Sequence, residues 1–99
     1  MALTTSALDP FLHAIADPTR RRILRALKEK NRSSAGKVAG LCASEIEQRV
    51  RLAQPTVSHH MHVLVKANLV EAEREGHWRR YRRNEKLIAE MIRQLKEHL

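Results

Sequence analysis

Between residues 54 and 83 the sequence changes its apolar period without any spacer, and this restricts the fold more than any other feature. The run QPTVSHHMHVLVKANLV (residues 54–70) carries proline in its first turn and apolar residues at Val57, Met61 and Leu64. That i, i+4, i+7 spacing makes one helical face. Gln54, Thr56, Ser58, His59, His62 and Lys66 fall mainly on the other sides, and Asn68 offers a left-handed end to the helix. EAEREGHWRRYRR follows at once. It predicts strands over 69–74 and 77–82 around a two-residue loop, Glu75 and Gly76, close to the Asp-Gly pair favoured in tight hairpins. The chain must therefore set a basic hairpin beside one amphipathic helix.

Upstream, residues 7–16 place Phe11, Leu12 and Ile15 on one side of a helix. Asp17 and Pro18 read as an N-cap with proline at the first helical position, starting a second helix over 18–30. Ile23, Leu24 and Leu27 form its apolar stripe, with Arg20, Arg21, Arg25 and Lys28 read largely off it. Arg20, Arg21 and Arg22 suit either backbone phosphate or a solvated face paired with glutamates. Residues 30–40, rich in Ser, Gly and Lys, read as a loop with room for one helical turn. Ser44 and Glu47 have capping-box spacing and open a short helix that offers Ile46, Val50 and Leu52 to a core. A turn over 51–54 then joins that helix to the next, without a glycine.

From Asn84 a last helix carries Leu87, Ile88, Met91, Ile92 and Leu95. This stripe is wide for an end helix. Together with the first helix it predicts a homodimer interface. The whole reads as a mainly α fold, a winged helix-turn-helix with a small β-hairpin wing, dimerising through its terminal helices. Residues 1–99 suit one small domain.

Charge points to the partner. Nineteen Lys and Arg against 11 Asp and Glu give +8, a surplus that attracts polyanions and nucleic acid above all. No apolar run approaches the roughly 20 residues of a membrane span, so no membrane is expected. The N-terminus lacks the basic and apolar regions of a signal peptide. A single cysteine, Cys42, excludes an intrachain disulfide and suits a reducing cytoplasm.

Double-stranded DNA is thus the expected partner, and two residue sets would read it. Gln54, Thr56, Ser58, His59 and His62 put hydrogen-bonding groups near the N-terminal end of the second helix of the pair, the end that meets base edges. His60 sits beside the apolar stripe and reads as a packed, hydrogen-bonded histidine. Arg74, His77, Arg79 and Arg80, with Arg82 and Arg83 behind them, arm the hairpin to straddle a phosphate backbone or enter a minor groove. Strand alternation separates Trp78 from Arg79, with Trp78 read as core.

The segments IADPTRRRILRAL, LCASEIEQRVRLAQPTVSHHMHVLVKANLV and EREGHWRRYRRN resemble, in this order, the ArsR/SmtB family of bacterial winged-helix repressors. The resemblance covers most of residues 15–84. It implies a homodimer that lays two recognition helices into successive major grooves of a palindromic operator, released by an effector. The family's metal box has two cysteines; here Cys42 takes the first position and Ser44 the second, where a soft metal needs a thiolate. At the family's other metal site, on the last helix, Glu85, Leu87 and His98 lie at comparable spacings, and Leu87 cannot bind metal. The expectation is a repressor with no metal and no cofactor, its effector unknown. Ala53 stands where the family commonly has a capping serine, which either leaves the start of that helix looser or passes the capping role to Gln54.

Other readings remain open at this point. Cys42 reads as a buried structural thiol in a short strand beside the wing, with a redox- or metal-responsive role as the alternative. A winged-helix module that binds protein is another. No nucleophile triad, phosphate loop or carboxylate pair stands out, so the chain is not read as an enzyme.

Overall fold

Asp17 starts the second helix as its sequence implies: its Oδ2 accepts the Arg20 amide at 3.0 Å, three residues on, with Pro18 at the first helical position. The structure, a computed structural model, describes residues 2–33 and 40–99. In chain order the elements are α1 (Ala2–Ile15), α2 (Pro18–Ser33), β1 (Leu41–Cys42), α3 (Ala43–Val50), α4 (Gln54–Lys66), β2 (Val70–Glu75), β3 (Trp78–Arg83) and α5 (Glu85–His98). This is the mainly α winged helix-turn-helix that the sequence implies, with α3 and α4 as the helix pair. Helix α1 begins earlier than the expected residue 7, and α2 runs on to Ser33. The rest of the loop expected over 30–40, up to residue 39, lies outside the described residues.

The three strands form one antiparallel sheet in the order β1-β3-β2. Cys42 does sit in a short strand beside the wing, with Leu41 opposite Tyr81 and Cys42 opposite Arg80. Gly40 makes that pairing possible. Its φ is +120°, and a Cβ there would meet the Tyr81 carbonyl oxygen at 2.3 Å.

Because β1 ends at Cys42, α3 starts directly off the strand, two residues before the expected Ser44 cap. Glu45 falls at the third helical position and its Oε1 accepts the Cys42 amide at 2.9 Å. Ser44 Oγ lies 3.3 Å from Cys42 Sγ. The turn after α3 solves its missing glycine with Arg51, held in the left-handed region at φ 56°. Its amide and that of Leu52 both donate to the Glu47 carbonyl.

Helix α4 closes on a Schellman motif at Asn68 (φ 63°): the Asn68 amide donates to Val65 O at 2.9 Å and the Leu69 amide to Leu64 O at 3.1 Å. Asn84 then locks this end. Its amide donates to Leu69 O, its Nδ2 to Asn68 O, and its Oδ1 accepts the Leu87 amide to cap α5. Ile23, Leu27, Leu41, Ile46, Val57, Leu64, Leu69 and Val70 form the fully buried centre, drawn from α2, β1, α3, α4 and the root of the wing.

The wing departs from its sequence reading in two ways. Glu75 pairs with Trp78, so the two-residue loop is Gly76 and His77, shifted by one. Gly76 leads it at φ 60°, a conformation that costs glycine little. The alternation is real, but its parity is the reverse of the one expected. Val70, Ala72 and Arg74 share one face with Arg83, Tyr81 and Arg79; Glu71 and Glu73 share the other with Arg82, Arg80 and Trp78. Buried Val70 and half-buried Tyr81 define the inner face, so Trp78 faces out, 62% exposed. Truncating it as Trp78→Ala is expected to change stability by less than about 0.5 kcal/mol. Leu64→Ala, at a fully buried site, should cost about 2–5 kcal/mol in the same urea titration. A Trp78→Ala loss of that larger size would return the indole to the core.

Candidate nucleic-acid interface

The candidate reading surface begins at the first turn of α4. Ala53 is the N-cap, in an extended conformation (φ −71°, ψ 155°) and without a side-chain capping bond. Pro55 has no amide to satisfy, and the Val57 amide closes the first turn on Ala53 O at 3.1 Å. Among the described residues the missing serine is thus not replaced by Gln54. Gln54, Thr56, Ser58, His59 and His62 are all exposed, while Val57, Met61 and Leu64 hold the helix to the core. The five predicted residues therefore share the open side of one rigid helix.

The wing meets this helix along its inner face. Ser58, Met61, His62 and Val65 of α4, with Ala72, Arg79 and Tyr81 of the wing, surround a pocket of about 190 Å³. Arg74 pairs directly across from Arg79, both exposed and with no acidic partner among the described residues. Like charges facing each other across strands destabilise a hairpin unless an anion lies between or beside them. His77 is exposed in the loop. Arg80 is brought to the opposite face, where its Nη1 lies 3.9 Å from Glu45 Oε1 and 3.4 Å from Gly40 O. Arg82 bonds Glu73 at 2.8 Å on that same face, and Arg83 bonds Glu85 and Leu24 O.

One decisive residue escaped the sequence reading. Arg20, read as off the stripe, is only 7% exposed and occupies the i, i+3, i+4, i+7 stripe with Ile23, Leu24 and Leu27. Its Nε donates to Ala14 O at 2.7 Å and its Nη2 to His13 O at 3.0 Å, covering the carbonyl end of α1. Its Nη1 donates to His60 Nδ1 at 3.1 Å, so one guanidinium fastens α4 to α1 and α2. The register of Arg20 with Ile23, Leu24 and Leu27 was the available signal. His60 is packed and hydrogen-bonded, as its place beside the stripe implies.

A family profile described as "Helix-turn-helix domain" matches residues 15–73. An HTH-type transcriptional regulator of Methanocaldococcus jannaschii is 34% identical over 84 residues, covering 85% of each chain. An arsenical resistance operon repressor of Staphylococcus aureus is 33% identical over 90 residues, 89% of this chain and 76% of the relative. This chain belongs to the ArsR family. ArsR proteins are DNA-binding, winged helix-turn-helix regulators of transcription, a family that includes repressors and is not one of enzymes. The fold itself is shared with a solved homodimeric winged helix-turn-helix DNA-binding domain from Mycobacterium bovis, at a TM-score of 0.75 and 22% identity, over 98% of this chain and 83% of that one. None of the described helices is long and apolar enough to cross a membrane.

In this ArsR protein the joint between α2 and α4 contains a titratable group, His60. Burial, the largest cause, holds the His60 imidazole below its ordinary pKa of 6.5; Asp17, 3.9 Å away, pulls it up, while Arg20 and His59 add smaller downward pushes, and the net shift is downward. Arg20 can only donate, so His60 Nδ1 must be an unprotonated acceptor. The folded state thus takes up its proton at lower pH than the unfolded chain does. The stabilisation is complete above about pH 6.5 and drains away as pH falls towards the lowered native pKa. The His60→Asn variant keeps an acceptor near the Nδ1 position without an ionisable ring. Between about pH 7.5 and pH 5.5 it should lose less stability than the wild type in paired thermal melts. Parallel losses would assign the effect to another group.

Proposed function

We propose that this ArsR protein is a homodimeric repressor, each chain a single domain over 1–99, which reads a palindromic operator in double-stranded DNA. The observation that carries the reading is the continuity of one surface. The exposed polar side of α4 runs into the unpaired Arg74–Arg79 face of the wing across a shared pocket. Gln54, Thr56, Ser58, His59 and His62 contact base edges, with Gln54 suited to a bidentate adenine pair. The open amides at the start of α4 and Arg74, His77 and Arg79 take backbone phosphates. Arg80 acts from the outer face of the wing, beside Glu45.

The dimer is supported by apolar surface left on the terminal helices. Helices α1 and α5 pack together in the protomer, and Leu12 (37%) and Ile92 (48%) stay exposed on them. Met91 is spent within the protomer's own core, and Leu87, Ile88 and Leu95 lie half-buried against it. The Mycobacterium bovis domain of the same fold is a homodimer. Recognition proceeds without a metal or cofactor: Cys42 has a hydroxyl, Ser44 Oγ, where a second thiolate would be required.

Gln54→Ala is expected to lose discrimination at one or two base pairs, by about 1–3 kcal/mol, in competition against mutated operators. An equal loss on every duplex would refute base readout. Arg79→Ala should lower the slope of log K against log salt by about 0.9 without changing sequence preference. If the slope stays put, Arg79 makes no phosphate contact. Ile92→Asp, placed on exposed surface so that the fold survives, should give a monomer in light scattering at micromolar concentration. A variant that remains dimeric would move the interface elsewhere.

A further inference from the structure

A second cationic site lies outside the surface described above. Arg22, Arg25, Ala26 and Glu29 of α2 face Arg49 and Val50 of α3 across an open cleft of about 340 Å³. Three guanidinium-bearing residues and one carboxylate line it. Arg22 is already oriented: its Nη2 donates to Val50 O at 2.7 Å, which covers the negative end of α3 and leaves the rest of the fork available. Arg25 and Arg49 are exposed and have no hydrogen-bond or ion-pair partner among the described residues. Gathering unpaired guanidiniums in one concavity is unfavourable unless an anion occupies it.

We propose that this α2–α3 cleft binds a phosphate group through Arg22, Arg25 and Arg49. Phosphate suits the site because planar guanidinium forks pair bidentately with its oxygens, and arginines from two helices approach it from two sides. Helix α3 ends at Val50 and the turn through Arg51 leads straight to Gln54, so the cleft flanks the entry to the reading helix. The phosphate comes either from the DNA backbone beside the major groove read by α4, which rests on the reading proposed above, or from a free phosphorylated ligand.

The double variant Arg25→Gln/Arg49→Gln separates these sources and spares the helix-capping Arg22. Its melting temperature in chloride should equal or exceed that of the wild type, since neither side chain has a partner to lose among the described residues and their mutual repulsion is relieved. On duplex DNA, a log K against log salt slope reduced by up to about 2 assigns the site to backbone phosphodiester. With pyrophosphate as the probe, a rise in the melting temperature of the wild type at fixed ionic strength, absent from the variant, assigns it to a free ligand. An unchanged slope together with equal pyrophosphate responses would overturn the proposal. Glu29→Gln gives a second check, because removing the acid should strengthen whichever response is seen, and a weakened response would count against the site. Failure of the DNA reading is seen separately, as a wild type with no preference among duplexes, and leaves the pyrophosphate arm intact.

Discussion

The buried Arg20 guanidinium is the constraint on which the proposed reading surface depends. It satisfies two carbonyls at the end of α1 and one imidazole nitrogen on α4, and its own amide is held by Asp17. A buried charge is tolerated when its hydrogen bonds are met, and removing any partner leaves a donor or acceptor stranded. The arrangement therefore tolerates little variation in where α4 lies against α1 and α2. Among the described residues His60 is the only polar side chain of α4 drawn into this joint, and its neighbours on the open side stay exposed.

A second constraint is the parity of the wing. Val70 and Tyr81 pack inward, and every other residue of the hairpin follows from them. Arg74 and Arg79 are then turned towards the groove beside α4. Arg80 and Arg82 are turned away, towards Glu45, Glu71 and Glu73. Composition alone makes these arginines look equivalent. Among the described residues, pairing divides them into a set with acidic partners and a set without, and it is the second set that borders the polar face of the helix.

Much of this fold was legible because local signals and tertiary packing agree. The Val57, Met61, Leu64 stripe, the Asp17 cap, the left-handed Asn68 and the strand at Cys42 all follow from spacing or side-chain chemistry. The misreadings share a cause, since each needed knowledge of a neighbouring strand or helix. The α3 cap moved to Cys42 because β1 runs directly into the helix. Trp78 was read as core because indole is large and apolar, whereas the parity of VEAERE against WRRYRR had already placed the glutamates, and hence Trp78, outside. Arg20 was read as surface because arginine usually is, although its spacing to Ile23, Leu24 and Leu27 matched the buried stripe. For the proposed reading surface, spacing alone placed Gln54, Thr56, Ser58, His59 and His62 on the open side of α4, while the division of the wing arginines required the register.

The Asn84 clamp has a consequence beyond local stability. One asparagine binds the carbonyls of Asn68 and Leu69, just past the end of α4, and the first turn of α5, so the two helices meet at one hydrogen-bonded joint. In a dimer built on α5, the crossing angle of the paired α5 helices then sets the distance between the two reading heads. Successive major grooves on one side of B-DNA lie about 34 Å apart, and a head displaced by a few ångströms meets phosphate instead of base. In the proposed dimer the α5 contact acts as a ruler for the operator, and a small rotation within it is enough to put both heads out of register at once.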